Sequence, residues 1–265
     1  MCVCYYKSDG DKMKILKYKK VSGNKYSLVL DNGDNIKLYD DTIIKFDLLR
    51  SKEIRDIEEI NKYDKDMEAY YKCVQYLNKK MRTSKEIRKY LEDYPAKTID
   101  ITIERLCREG YLNDEYYLKV FISNQINITN NGPFIITKKL KDLGFNKDEI
   151  LEELNKYDYN IFINKLDKMI DKKINSNSKY SNNRLKEKII IDFVNYGYDK
   201  KDIINILNNK EIKTCNEIIE KEYKKALRSL IKKYEGYELE RKLIAKLMSK
   251  GFFYDEIKEI ISKNK

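Results

Sequence analysis

The side chains of this 265-residue sequence best suited to chemistry are cations. Lysine and arginine number 55 against 44 aspartates and glutamates, a formal charge of +11 at neutral pH, and the excess is clustered. Residues 78–89 carry Lys79, Lys80, Arg82, Lys85, Arg88 and Lys89 against Glu86. Lys172 and Lys173 precede an Asn/Ser-rich loop at 175–183 that holds Lys179, and Arg184, Lys186 and Lys188 follow it. Residues 221–233 carry Lys221, Lys224, Lys225, Arg228, Lys232 and Lys233 against Glu222. Such stretches form phosphate-tracking surfaces when helices bring them to one face. The competing reading is a set of solvated helix faces.

Tyrosine is the second group with recognition chemistry. There are 23, including the pairs Tyr5-Tyr6, Tyr70-Tyr71 and Tyr116-Tyr117. Stacking on nucleobases is within their chemistry. With no Trp and 8 Phe, however, most must fill core at helical spacing.

Catalytic constellations are missing. Histidine does not occur, which removes Ser-His and Cys-His nucleophile pairs, imidazole bases and imidazole zinc sites. Asp31-Asn32-Gly33-Asp34 is a turn and not a Gly-rich phosphate loop. Asp40-Asp41, Glu58-Glu59 and Glu152-Glu153 lack the spaced partner that paired-carboxylate catalysis or a magnesium site needs. Cys2, Cys4, Cys73, Cys107 and Cys215 are scattered and read as small apolar residues in a reducing cytoplasm. No stretch reaches the ~20 apolar residues of a membrane span. The expectation is a cytoplasmic, non-enzymatic protein with no cofactor, no metal, no membrane segment and no secretory leader.

The elements that position the cations divide the chain in two. Lys14–Lys20, Tyr26–Leu30, Asn35–Leu38 and Thr42–Phe46 read as short strands, with Asp31-Asn32-Gly33-Asp34 as a hairpin turn. From about Leu48 the apolar period becomes helical, as in Met67, Tyr70, Tyr71, Val74 and Leu77 or Leu239, Leu243 and Leu247. Thr83-Ser84-Lys85-Glu86 is a capping box. The chain also repeats itself. Leu140–Ile150, Phe193–Ile203 and Leu247–Ile257 align through a turn of Gly and an aromatic residue, and Leu91–Ile101 is a degenerate copy with Tyr94-Pro95 in the turn. The predicted fold is mainly α: tandem three-helix repeats in an elongated curved array, preceded by a small N-terminal β meander. Its divisions are 1–12 as a disordered stretch or extension, 13–47 as the β unit and 48–66 as a connecting helix. Repeats follow at 67–114, 115–158, 159–210 and 211–265.

These residues also carry a resemblance. Arg82-Thr83-x-x-Glu86-Ile87-Arg88-x-x-Leu91, then Gly110-Tyr111-Leu112-Asn113-Asp114, Phe121, Gly132, Leu140 and Leu143-Gly144-Phe145, are similar to the RecX regulatory proteins. The N-terminal strands resemble the extension of the longer Gram-positive members. The chain departs from the family at Asn113, where Asp is common, and at Tyr94-Pro95. The resemblance implies a modulator, in the inhibitory direction, of the RecA recombinase filament, acting on ATP hydrolysis, strand exchange and coprotease activity. It implies as partners the filament, single-stranded DNA and, as a second form, double-stranded DNA, for a monomer.

Two other readings stay open: a general basic helical DNA- or RNA-binding protein, and a repeat scaffold for an acidic protein. The expected contact residues are Lys79, Lys80, Arg82, Arg88, Lys172, Lys173, Arg184, Lys186, Lys188, Lys224, Lys225 and Arg228, on a shared concave face or edge. The β part is expected to adjust affinity or location and not to carry the core activity, its Lys14, Lys17, Lys19 and Lys20 adding one nonspecific contact, so that a chain beginning near Leu48 stays folded and active.

Overall fold

The computed structural model describes residues 12–210, 212 and 216–264. The stretch 1–11, with Cys2, Cys4 and Tyr5-Tyr6, lies outside the described residues, as does Cys215. The chain forms two compact units, residues 1–117 and 118–265.

The first unit opens with β1 (Met13–Ser22), β2 (Lys25–Leu30) and β3 (Asn35–Tyr39). The β2–β3 hairpin turns where Asn32-Gly33 predicts it, Gly33 taking a left-handed φ of 90°. Thr42–Phe46, expected as a strand, instead lies in helix α1 (Asp40–Lys45) and its C-cap, Phe46. Asp40 and Asp41 favour a helix start. Thr42 and Ile43 are buried while Ile44 is exposed, which is not the alternation of a half-buried strand. After α2 (Leu48–Ser51), the fourth strand is β4 (Glu53–Ile54), paired antiparallel to Met13 and Lys14. The sheet order is β3-β2-β1-β4. Residues 48–66, expected as one connecting helix, thus hold α2, β4 and the start of α3 (Ile57–Leu77), which runs unbroken through residue 66.

The sheet does not stand by itself. Its inner face (Ile15, Leu28, Leu30, Leu38) shares one core with Ile43, Leu48, Ile54 and Ile60 of the following helices and strand. A polar network adds to this bond. Asp64 of α3 accepts from the Tyr39 backbone N–H (2.8 Å) and the Thr42 hydroxyl (2.6 Å), and the Tyr71 hydroxyl donates to Asp41 (2.6 Å). Helices α4 (Ser84–Tyr90) and α5 (Ala96–Arg108) complete the unit, packing Ile87, Leu91, Ile99 and Leu106 against Ala69, Tyr70 and Cys73 of α3. Burial pushes the Cys73 thiol up to about 12, so it is an apolar filler, as its isolation in the sequence suggests.

Helix α6 (Asp114–Ile128) starts at the junction of the two units, and the second unit continues with α7 (Pro133–Asp142) and α8 (Lys147–Leu154). It then holds α9 (Asn160–Asn175), α10 (Asn182–Asn195), α11 (Lys200–Asn208), α12 (Asn216–Leu230), α13 (Gly236–Met248) and α14 (Tyr254–Lys263). The glycine turns close as the sequence implies: Phe145, Tyr198 and Phe252 donate their N–H groups back to Leu140, Phe193 and Leu247, five residues earlier. In α8, α11 and α14 the buried Ile150, Ile203 and Ile257 each stand four residues after the N-cap. In α5 that residue is Ile99, four after Pro95, whereas Ile101 is exposed. The degenerate copy is therefore shifted by two residues, because Tyr94-Pro95 enters the helix without a left-handed glycine.

Backbone-to-backbone bonds tie successive parts of the second unit. Gly132, the N-cap of α7, offers no side chain to cap the free N–H groups of that helix end. Carbonyls of the α10–α11 turn serve instead: Gly132 N–H donates to Tyr196 (2.7 Å) and Phe134 N–H to Gly197 (3.1 Å). One turn further along the chain, the Ser181 N–H at the start of α10 donates to the carbonyl of Lys250 (3.2 Å), in the α13–α14 turn.

Candidate functional site

The first basic cluster sits at the start of α4. Lys79 and Lys80 are exposed in the α3–α4 connection. Arg82 is drawn inward, Nη1 donating to Glu86 (2.9 Å) with the guanidinium 4.1 Å over the Tyr76 ring. Glu86 also accepts from the Thr83 N–H (3.0 Å), and Thr83 Oγ1 accepts from the Glu86 N–H (3.2 Å). The Ser84 N–H donates to Asp114 (2.9 Å). Arg82-Thr83-x-x-Glu86 and Asp114 thus meet as a structural device that caps α4. Asn113 accepts from the Tyr116 N–H (2.8 Å), so Asn caps the next helix as well as Asp does. Arg88 pairs with Asp100 at 2.7 Å.

The second cluster surrounds the α9–α10 loop. Lys172 and Lys173 lie in the last turn of α9, where the helix dipole favours cations. Lys173, Lys179 and Lys188 line an open cavity of about 360 Å³ with Asn177, Tyr180 and Asp192. Lys173 pairs with Asp192 (2.6 Å), Lys188 stands 4.8 Å over the Tyr180 ring, and Arg184 pairs with Glu187 (2.6 Å). Lys186 is half-buried.

The third cluster differs. On α12, Ile219, Glu222, Tyr223 and Ala226 are buried, and at 3.6 residues per turn Lys221, Lys224, Lys225 and Arg228 fall on the opposite side. Among the described residues these four cations are exposed and without an ion-pair partner. Glu222 turns inward to Lys250, leaving the outer stripe free of its charge. Burial, and then the neighbouring Lys179, push the Lys250 ammonium below its ordinary value.

Of the tyrosine pairs, Tyr70-Tyr71 is used internally. Tyr70 donates to Glu109 and lies under the Arg105 guanidinium (3.9 Å), and Tyr71 stacks on Tyr39 (4.8 Å). Burial first, then these carboxylate partners, raise both phenols. Tyr116 is exposed and Tyr117 half-buried. Sequence reasoning missed Arg105, which joins Asp41 (3.3 Å) to Glu109 (2.7 Å). Its only local signal is the four-residue spacing to Glu109. Among the described residues no group of acidic or cysteine side chains could hold a metal ion, and no helix is long and apolar enough to cross a membrane.

Two stretches match family models: the RecX first three-helix domain on residues 69–106 and the RecX third three-helix domain on residues 216–261. Helices α6 to α11 lie between them, two sets of three where that numbering requires one. A regulatory protein RecX of Streptococcus agalactiae is 32% identical over 262 residues, covering 94% of this chain and 98% of its own length. One from Streptococcus pneumoniae is 31% identical over 258 residues, covering 92% and 97%. A crystal structure of a regulatory protein RecX superposes with a TM-score of 0.63 at 22% identity, over 74% of this chain and all of its own. That of RecX from Lactobacillus salivarius gives 0.51 at 23% identity, over 55% and 96%. These structures share the fold, and the sequence likeness spans nearly both full lengths: the chain belongs to the RecX family of regulatory proteins.

Proposed function

We propose that the chain binds the RecA recombinase filament on DNA and restrains its ATP hydrolysis, strand exchange and coprotease activity. The role is regulatory and needs no cofactor, and the protein acts in the cytoplasm as a monomer. The observation that carries the reading is the α12 stripe, where Lys221, Lys224, Lys225 and Arg228 line one open surface with Glu217 and Glu220 and, among the described residues, none of the four cations is held in an ion pair. Lys79 and Lys80 in the first unit, and Lys172, Lys186 and Lys188 in the second, are further contacts. Lys173, Arg184, Arg82 and Arg88 join it at the cost of an existing ion pair. The working parts are four three-helix units, residues 67–114, 115–158, 159–210 and 211–265.

The test is a titration into RecA filaments on single-stranded DNA, following ATP hydrolysis and strand exchange. Wild type lowers both rates, and K224E/K225E/R228E weakens binding and its salt dependence together. Unchanged modulation by this variant makes the stripe a solubility feature. The second reading, general nucleic-acid binding, rests on the same unpaired cations. It predicts salt-dependent binding to naked DNA or RNA with no effect specific to the recombinase.

A further inference from the structure

We propose that the solvent face of the N-terminal sheet is a separate, sequence-independent contact for the phosphate backbone of single-stranded DNA. The strand register decides which side chains share that face. Lys19 pairs with Ser27, and Ser27 in turn with Lys37, so two lysines flank a serine in one row across β1, β2 and β3. Lys17 stands one row along, with Val29 and Asn35. Strand geometry spaces Lys17 and Lys19 by about 6.5 Å along β1, and Lys19 and Lys37 by about 9.5 Å across two strand gaps. All three are exposed, and among the described residues none has an ion-pair partner. No carboxylate stands in these two rows.

The chemistry favours nucleic acid over an acidic protein. Protein interfaces draw most of their energy from a buried aromatic or arginine anchor. Here the aromatic residue, Tyr39, is already covered by Tyr71, and no arginine is present. Lysine is a compact point charge without arginine's bidentate fork, suited to phosphates contacted without regard to sequence. The Asn35 amide, whose Oδ1 accepts from the Ser27 hydroxyl (3.5 Å), adds N–H donors to the same rows. In the sequence, Lys14, Lys17, Lys19 and Lys20 suggest one weak contact; register selects Lys17 and Lys19 and brings Lys37 from β3 to make a patch.

The inference rests on the nucleic-acid part of the reading above, and the test separates the two. Full-length protein is titrated against a labelled oligothymidylate, with anisotropy recorded over a salt series, for wild type, K17A/K19A/K37A and K224A/K225A/R228A. The sheet variant is expected to bind several-fold more weakly at low salt. Its plot of log affinity against log salt should be shallower by about 2, three contacts at ~0.7 each, with unchanged circular dichroism. Unchanged affinity and slope in the sheet variant, beside a weakened α12 variant, overturn this inference alone. No binding by wild type overturns both. Normal oligonucleotide binding with lost affinity for the recombinase gives the face to a protein partner and also overturns it. So does aggregation with unchanged binding, which would make the lysines guards of the sheet edges. Should the triple variant misfold, K37A alone decides, with an expected slope change of ~0.7.

Discussion

Gly110 in the first unit and Gly197 in the second occupy the same kind of turn, yet they answer to different constraints. Each follows a helix, takes a left-handed φ (78° and 86°), and precedes a tyrosine whose N–H returns to a residue five earlier. A Cβ added at Gly110 would meet nothing within 4 Å, whereas one at Gly197 would stand 2.6 Å from Ile135 N and Cγ1. The second unit joins its parts by bringing backbone against backbone at such turns. The first unit relies on side chains to attach its sheet: the Asp64 bonds, the Tyr71–Asp41 bond and the Arg105 pairs. One local signal in sequence thus serves two kinds of junction.

The strongest way to break the comparison is to remove the sheet. A chain beginning at Leu48 loses the partners of Leu48, Ile54 and Ile60 in their shared core and leaves Arg105 without Asp41. We expect the first unit to unfold while the second persists, so hydrogen exchange should become fast through α3–α5 and stay slow in α9–α14. Native-like protection of α3–α5 would restore the sequence-based expectation that the helices stand without the β part.

The two glycines sharpen it. G197A combines a left-handed penalty of about 1–2 kcal/mol with overpacking against Ile135 of about 1–3 kcal/mol, whereas G110A carries only the first. Urea unfolding of the two full-length variants checks this. Equal losses would mean that the approach to α7 contributes nothing.

The smallest effect belongs to the side-chain network. The Tyr70 hydroxyl, and then Arg105, hold the Glu109 carboxyl below its ordinary value of 4.5. A depressed carboxyl stabilises the fold above its ordinary value, and that increment disappears as pH falls through the folded value. The melting temperatures of wild type and E109Q should therefore differ slightly at pH 7 and converge as the pH is lowered well below 4.5. A gap that stays constant across that range would leave Glu109 with no linked proton.

Much of the fold is local and legible in the amino-acid sequence. The helical period, the Asn32-Gly33 hairpin, the Thr83–Glu86 capping box and the left-handed glycine turns depend on residues a few positions apart. Propensity and periodicity act over that range. The resemblance to RecX rests on the same short motifs, which the structure uses to cap α4. Where local signals are ambiguous they fail: Thr42–Phe46 has the composition of a strand, and the helix wins because Asp64 and Tyr71 hold Tyr39, Asp41 and Thr42 from the α3 side.

The candidate site divides the same way. Sequence by itself determined that cations cluster at 79–89, 172–188 and 221–233. Arg82 and Arg184 pair locally, with Glu86 and Glu187 four and three positions on, but only the tertiary structure decided the occupancy of the others. Arg88 finds Asp100 and Lys173 finds Asp192, 12 and 19 positions away, while the α12 stripe finds no partner among the described residues. Lys19 and Lys37 share a face only because β1 and β3 both pair with β2. Such distant ion pairs and a cross-strand row need two residues that the chain brings together by folding, and no short window of local sequence contains both.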